Sequence, residues 1–175
     1  MTHGSGYSLF ELIVVISLVA LGFIIAIPSY QWLEQKNQAN VVVNQMVAAL
    51  NYARQQALIR HKVVSLCASR DGHQCGGEWA DGMLLFIDQT AQGNYQAGDS
   101  KLRVYPALPA NNRLWWNRSE NLIQMSPNGY LLKSQNGTFT YCSGQSRQQV
   151  IRLIIVSLTG RVRVAEEGGK KCPSK

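Results

Sequence analysis

Residues Gly6–Pro28 read GYSLFELIVVISLVALGFIIAIP, and the part from Leu9 to Ile27 is almost wholly apolar. As an α-helix, that part extends about 28 Å at 1.5 Å per residue, which is close to the thickness of a bilayer core. Glu11 is the only charged residue before Glu34. The sequence therefore predicts a membrane-length helix that carries one carboxylate near its start.

A carboxylate inside such a helix is expected to face a cationic partner, because an isolated charge in a membrane is costly. No Lys or Arg precedes Lys36, so the first part of the chain offers no basic side chain. The remaining cation is an α-amino group. Cleavage after Gly6 would create one at Tyr7, four residues before Glu11.

These residues resemble the processing motif of type IV prepilins, which is shared by pilins and by the pseudopilins of type II secretion. The resemblance implies that a prepilin peptidase cuts after Gly6 and methylates the new amino group of Tyr7. It also implies that Glu11 pairs with the terminal amine of a neighbouring subunit during filament assembly. Pro28 lies where members of this superfamily commonly carry a proline that kinks the helix.

The apolar segment has two other interpretations. A secretory signal peptide needs a basic N-terminal region and small residues at a cleavage site after the apolar run, and Ile25–Pro28 is a poor match. A plain membrane anchor that tolerates Glu11 near the interface stays open.

The helical pattern resumes after Pro28, with apolar residues at three- and four-residue steps. They are Val43, Met46, Val47, Leu50, Ala53 and Ala57. One helix from about Ser8 to Arg60 is expected, with two helices broken at Pro28 as the alternative. The expected organisation is a leader (1–6), a transmembrane and filament-core segment (7–29), an amphipathic helical half (30–61) and a β-rich head with a basic tail (62–175).

Short β-type segments separated by Gly-containing turns follow the helix. The predicted strands are Val63–Ala68, Met83–Asp88, Leu102–Tyr105, Leu122–Met125, Tyr130–Lys133, Thr138–Cys142, Val150–Ser157 and Arg161–Val164. They predict an α+β fold in which a long N-terminal helix packs against a meandering antiparallel sheet. Three later segments resemble landmarks of the GspH/FimT branch of minor pilins and pseudopilins, namely Glu78–Phe86, Ser126–Gly129 and Ile155–Arg163.

Four cysteines allow three disulfide pairings in a segment that this topology places outside the cytoplasm. Cys67–Cys75 and Cys142–Cys172 are the favoured pairs. A zinc site formed by Cys67, His73 and Cys75 is the rival, but its spacing is atypical and it lacks a fourth ligand. Catalysis is not expected, because His61 and His73 lack a neighbouring nucleophile motif and no phosphate-binding loop follows a strand. No cofactor is predicted.

The second half of the chain is strongly basic, because Glu120 is the single acidic residue between residues 100 and 165. The basic residues in that range are Lys101, Arg103, Arg113, Arg118, Lys133, Arg147, Arg152, Arg161 and Arg163. Such a surface favours a polyanionic partner: DNA, lipopolysaccharide or an anionic protein.

The sequence Gly160-Arg161-Val162-Arg163 favours DNA among these polyanionic partners. On a strand, the two arginines would project from one face about 7 Å apart, close to the spacing of successive phosphates along a DNA strand. The segment also resembles the Gly-Arg-x-Arg motif by which some FimT-type minor pilins bind DNA. Lys170 and Lys171 join the predicted site on charge and proximity alone.

The aromatic pair Trp115-Trp116 has two interpretations. Flanked by Arg113 and Arg118, it offers a surface on which bases could stack, but buried packing or a subunit interface is the stronger explanation.

The leading hypothesis is a minor type IV pilin, anchored in the bacterial inner membrane with its head in the periplasm and then incorporated into a pilus. Its expected partners are prepilin peptidase, other major and minor pilins, and the phosphate backbone of extracellular double-stranded DNA taken up in transformation. The alternative is a structural subunit without DNA binding. Such a subunit either primes pilus assembly or serves as a GspH-like minor pseudopilin of type II secretion.

Overall fold

A long α-helix, α1 (Leu9–Arg60), opens the computed structural model, which describes residues 8–143, 149–166 and 172. The chain divides into two units, Met1–Asn37 and Gln38–Lys175. In the first unit, the apolar part of α1 is exposed, and its length and composition would allow it to cross a membrane. The backbone is helical through position 28, so the alternative of two separate helices is wrong.

The second unit contains eight described strands in two antiparallel sheets of four. They are β1 (Val64–Ala68), β2 (Met83–Ile87), β3 (Ser100–Tyr105), β4 (Asn112–Trp116), β5 (Leu122–Met125), β6 (Gly137–Ser143), β7 (Val150–Val156) and β8 (Val162–Glu166). Sheet 1 has the order β3-β2-β1-β5, and sheet 2 has the order β4-β6-β7-β8. Within the described chain, β8 is therefore an edge strand.

The hydrophobic core joins α1 to the inner faces of both sheets. The helix contributes four alanines with no exposed surface, which are Ala39, Ala49, Ala53 and Ala57. Because these side chains are small, the helix backbone can approach the sheets closely. Larger side chains fill the remaining space: Trp79 packs edge-on against Phe139 with ring centroids 4.9 Å apart.

Disulfides join Cys67 to Cys75 and Cys142 to Cys172, the pairing that the sequence favours, with Cα–Cα distances of 5.6 and 6.1 Å. The rival zinc site is wrong, because both of its cysteines are consumed by the first disulfide. No cluster of His, Cys, Asp and Glu suited to a metal ion occurs in the described part of the chain.

The predicted fold class is confirmed, with three corrections. The strands form two sheets and not one meander. Tyr130–Lys133 is not a strand: Leu131 makes an isolated bridge to Met125, and a short 3-10 turn follows at Leu132–Ser134. Lys133 has a φ of 50°, which a strand cannot accommodate. Finally, Asn112–Trp116 is a strand that the sequence did not predict.

The buried Tyr141 should make the fold sensitive to alkaline pH. Its hydroxyl donates a hydrogen bond to Asn112 Oδ1 at 2.9 Å, and burial raises its pKa from 10.0 to about 12. The neutral phenol is favoured in the folded state, so its contribution is complete below pH 10 and is lost as pH rises from 10 towards 12.

We expect Tyr141→Phe to cost about 1 kcal/mol at pH 7, because Asn112 loses its donor. The same variant should flatten the decline in stability between pH 10 and 12. Urea unfolding across this pH range measures both effects on a fragment starting at Gln38, which contains the whole core. Tyr130→Phe, at an exposed tyrosine, is the control and should leave the pH profile unchanged. An equally steep decline in Tyr141→Phe would contradict the assignment.

Candidate functional site

Three segments that are distant in sequence meet beside the basic motif. They are α1 at Arg54, the turn 126–131, and the hairpin turn 157–161 between β7 and β8. Arg54 Nε donates to the carbonyl oxygen of Gly129 at 3.1 Å, and Leu131 N–H donates to the carbonyl oxygen of Leu158 at 2.9 Å. We call this meeting point the junction. It fixes both turns against the helix.

The hairpin turn is closed by its own hydrogen bonds. Ser157 N–H donates to the carbonyl oxygen of Arg161, and Gly160 N–H donates to the carbonyl oxygen of Ser157, both at 2.9 Å. The hydroxyl of Ser157 accepts a further bond from Arg161 N–H at 3.2 Å. Both backbone groups of Arg161, the N–H and the carbonyl oxygen, are therefore hydrogen-bonded to Ser157.

Gly160 is required by its position. Its φ is 72°, in the left-handed region that side chains disfavour. A Cβ at this position would also overlap the carbonyl oxygen of Gly129. The Gly of the Gly-Arg-x-Arg segment thus has a structural role, and the two arginines carry any binding role.

Arg161 and Arg163 are both exposed. Arg161 ends the hairpin turn, and Arg163 lies on β8 opposite Ile155, so the predicted strand starts one residue later than expected. Val162, between them, packs against the core. The motif thus keeps one apolar side chain inside and directs two guanidinium groups to solvent.

The positive charge of the two arginines is not neutralised by described residues. Neither guanidinium forms an ion pair within residues 8–143, 149–166 and 172. The acid on β8, Glu166, is bound by Arg152 at 2.9 Å. Residues 54–60, 126–131 and 157–163 contain no Asp or Glu, and they contribute Arg54, Arg60, Arg161 and Arg163. The electrostatic character of this surface is therefore cationic.

Four other predicted site residues fall outside the described residues, namely Gly6, Tyr7, Lys170 and Lys171. Cys172 is attached to β6 through its disulfide, and its N–H donates to Gln149 Oε1 at 2.9 Å.

Glu11 is exposed in the first turn of α1, where the positive end of the helix dipole stabilises a carboxylate. It forms no ion pair with any residue that the structure describes. Its position therefore leaves the carboxylate available to a partner from another chain.

The two adjacent tryptophans have different environments. Trp116 is buried and packs against Phe139 with ring centroids 4.3 Å apart and an interplanar angle of 37°, so it belongs to the core. Trp115 points to the other side of β4 and is half-buried. Arg118 donates to the carbonyl oxygen of Asn136 at 2.9 Å, which gives it a structural role. The pair does not form a joint stacking surface.

Sequence reasoning did not assign Arg54 or Tyr130 to the site. The sequence pattern placed Tyr130 in a strand and gave no role to Arg54. The bond from Arg54 to Gly129 joins residues 75 positions apart, and no local pattern predicts such a contact. The only sequence signal was that both turn motifs, at 126–129 and 155–163, are landmarks of the same branch.

An N-terminal helix with an apolar beginning and a β-rich head built on its second half defines a type IV pilin-like subunit. The family model described as "Type II transport protein GspH" matches residues 42–160, more than half of the chain. The chain therefore belongs to the GspH family of minor pilins and pseudopilins. Such subunits are structural components of a pilus or pseudopilus, where they associate with other pilins, and they are not enzymes.

Solved structures share the fold at low sequence identity. The type IV minor pilin FimU of Pseudomonas aeruginosa is 21% identical, with a TM-score of 0.58 over 75% of this chain and 90% of that chain. A second crystal form of FimU gives a TM-score of 0.54 at 20% identity over 72% of this chain and 91% of that chain. The minor pseudopilin EpsH of the Vibrio cholerae Type 2 Secretion System gives a TM-score of 0.52 at 12% identity, over 75% of this chain and 99% of that chain. No match was found among curated proteins.

The junction should make Gly160→Ala more damaging than Gly129→Ala. The two glycines have similar φ values of 72° and 75°, so the cost of backbone strain is comparable. A Cβ at Gly160 meets a backbone carbonyl, whereas a Cβ at Gly129 meets the side chains of Arg54 and Leu58, which can move. We expect Gly160→Ala to cost about 1–3 kcal/mol more in urea unfolding. Equal costs would show that the backbones do not approach this closely.

Proposed function

We propose that this protein is a minor subunit of a type IV pilus that binds double-stranded DNA through Arg161 and Arg163 for uptake in natural transformation. The observation that carries the proposal is the exposure of both guanidinium groups without a described acidic partner. Binding would use DNA phosphates and would be independent of base sequence. Lys170 and Lys171, which precede the anchored Cys172, would add positive charge.

The fixed backbone of the hairpin turn supports this assignment. Because the Ser157–Arg161 bonds and the contact between Gly129 and Gly160 hold the turn, little backbone entropy remains to be lost when DNA binds. Each phosphate contact releases counterions, so the affinity should fall steeply as salt concentration rises. The family match ends at Gly160, so the DNA proposal depends on the charge and geometry of Arg161 and Arg163 and on the resemblance of Gly160–Arg163 to the motif of some FimT-type pilins.

Processing and assembly form the other half of the proposed function. Prepilin peptidase would cleave after Gly6 and methylate Tyr7, while the apolar part of α1 holds the subunit in the inner membrane with its head in the periplasm. Glu11 would then pair with the terminal amine of a neighbouring pilin as the subunit enters the filament. Its exposed position in the first turn of α1 is consistent with that role.

A structural subunit without DNA binding is the second candidate. It would either prime pilus assembly or act as a minor pseudopilin of type II secretion. The match to a family described as a type II transport protein favours the pseudopilin form. In this case, the arginines would protect the free edge of β8 from pairing with other strands, a common use of charge on edge strands.

Substitution of both arginines tests the DNA proposal. We expect Arg161→Gln with Arg163→Gln to lower duplex affinity about ten- to hundred-fold at moderate salt, and to reduce the salt slope by about two. The measurement is fluorescence anisotropy of labelled DNA with the full chain in detergent.

The edge strand β3 offers a matched control. Lys101 and Arg103 are exposed and flank a half-buried Leu102, so this strand of the other sheet carries two basic residues at the same sequence separation as Arg161 and Arg163. Lys101→Gln with Arg103→Gln removes the same charge and should retain most of the affinity. Equal losses in the two double variants would mean that DNA responds to net charge alone, and unchanged affinity in the first would overturn the proposal.

The assembly proposal predicts that Glu11→Gln is processed but fails to enter filaments, because the amide cannot neutralise a terminal amine. Mass spectrometry of the membrane-bound subunit should detect a methylated N-terminus at Tyr7, while sheared filaments should lack the variant. Glu34→Gln makes the same chemical change later in α1 and should assemble normally. Normal incorporation of Glu11→Gln would refute the role of this carboxylate.

A further inference from the structure

Tyr130 is an exposed aromatic residue at the junction, beside the proposed DNA contact. Its exposed fraction is 53%, and no described ring or cation stacks on it. Two other tyrosine rings are in contact: Tyr95 packs on Phe86 at 5.3 Å, and Arg103 lies 4.9 Å from the ring centroid of Tyr52 on α1. The ring of Tyr130 is therefore available to a ligand.

The backbone of Tyr130 is held on both sides. Its carbonyl oxygen accepts from Ser126 N–H at 2.8 Å, and its N–H donates to Ser126 Oγ at 3.2 Å. The preceding residue, Gly129, is bound by Arg54, and the following residue, Leu131, is bound to Leu158. The position of the ring thus depends on a rigid turn.

Tyr130 and Arg161 are both exposed where their two turns meet at the junction. The turn 126–131 and the hairpin turn pass each other in opposite directions, because Leu131 meets Leu158 and Gly129 meets Gly160. Gly129, Leu131 and Gly160 are buried, whereas Asn128, Tyr130, Thr159 and Arg161 are exposed. Tyr130 directly follows Gly129 and Arg161 directly follows Gly160, so the two exposed residues flank the point where these glycine backbones approach each other. An aromatic ring and a guanidinium group are therefore presented together.

We propose that Tyr130 stacks on an unpaired base while Arg161 binds a phosphate of the same strand, so that the junction recognises single-stranded DNA, including frayed duplex ends. This inference rests on the proposed DNA-binding function and adds the class of DNA to it. An exposed aromatic ring beside basic groups is the combination by which proteins bind single strands without regard to sequence. The bases of an intact duplex are stacked on each other and cannot reach the ring.

The charge of the surface favours nucleic acid over a protein partner. Leu58 and Leu158 are 42% and 46% exposed, so the junction also has apolar surface that another pilin could cover. However, the three segments carry arginines and no acid, and a polyanion complements that charge.

The test compares a single-stranded thymidine oligonucleotide with a capped duplex that cannot fray, using anisotropy and the full chain in detergent. Tyr130→Leu should weaken single-strand binding roughly 5- to 150-fold, the loss of one stacked base, and leave the duplex affinity unchanged. Tyr130→Phe keeps the ring and should bind as the unsubstituted protein does.

Three results would overturn the inference. If Tyr130→Leu binds the oligonucleotide normally, Tyr130 makes no base contact. If Tyr130→Leu binds the oligonucleotide normally but fails to enter filaments, the surface around Tyr130 contacts another pilin. If Tyr130→Leu weakens single-strand and duplex binding equally, the ring supports the turn and does not select single strands. If the unsubstituted protein binds neither DNA, the proposed function itself fails. The Arg161 and Arg163 substitutions should weaken both ligands, which separates phosphate contact from stacking.

Discussion

The packing of α1 against residues of both sheets is the constraint on which the head depends. Ala39, Ala49, Ala53 and Ala57 have no exposed surface, and larger residues in these places would force the helix away from the strands. The inner faces of both sheets share one core with this side of the helix. The apolar beginning of α1 has a different task, because it supplies a membrane-length segment for anchoring or filament packing.

The same packing positions the basic surface. Arg54 follows the buried Ala53 on α1, and its bond to Gly129 ties the turn 126–131 to the helix. Gly129 in turn lies against Gly160, which fixes the hairpin turn and the start of β8. The exposed arginines are therefore presented by a rigid chain of contacts that begins in the core, although neither of them contributes to that core.

Sequence periodicity predicted α1 because the spacing of its apolar residues is a local property. It did not predict β4, because Asn112–Trp116 is a strand only through its pairing with β6. Tyr130–Lys133 resembles a strand in composition. Its backbone, however, is set by the contacts of Leu131 with Met125 and Leu158, and the positive φ of Lys133 ends any extended conformation. The basic motif was visible in sequence, whereas Arg54 and Tyr130 join it only through the tertiary fold. The roles of Gly6, Tyr7, Glu11, Lys170 and Lys171 stay predictions.

In the proposed function, DNA contacts the surface formed by the junction and β8. Hydrogen–deuterium exchange of the full chain, with and without DNA, tests it most directly because every backbone amide reports its own segment. We expect slower exchange in peptides covering 126–131 and 157–163, with β3 (Ser100–Tyr105) unaffected. Protection confined to β3, or no change at the junction while DNA is bound, would contradict it.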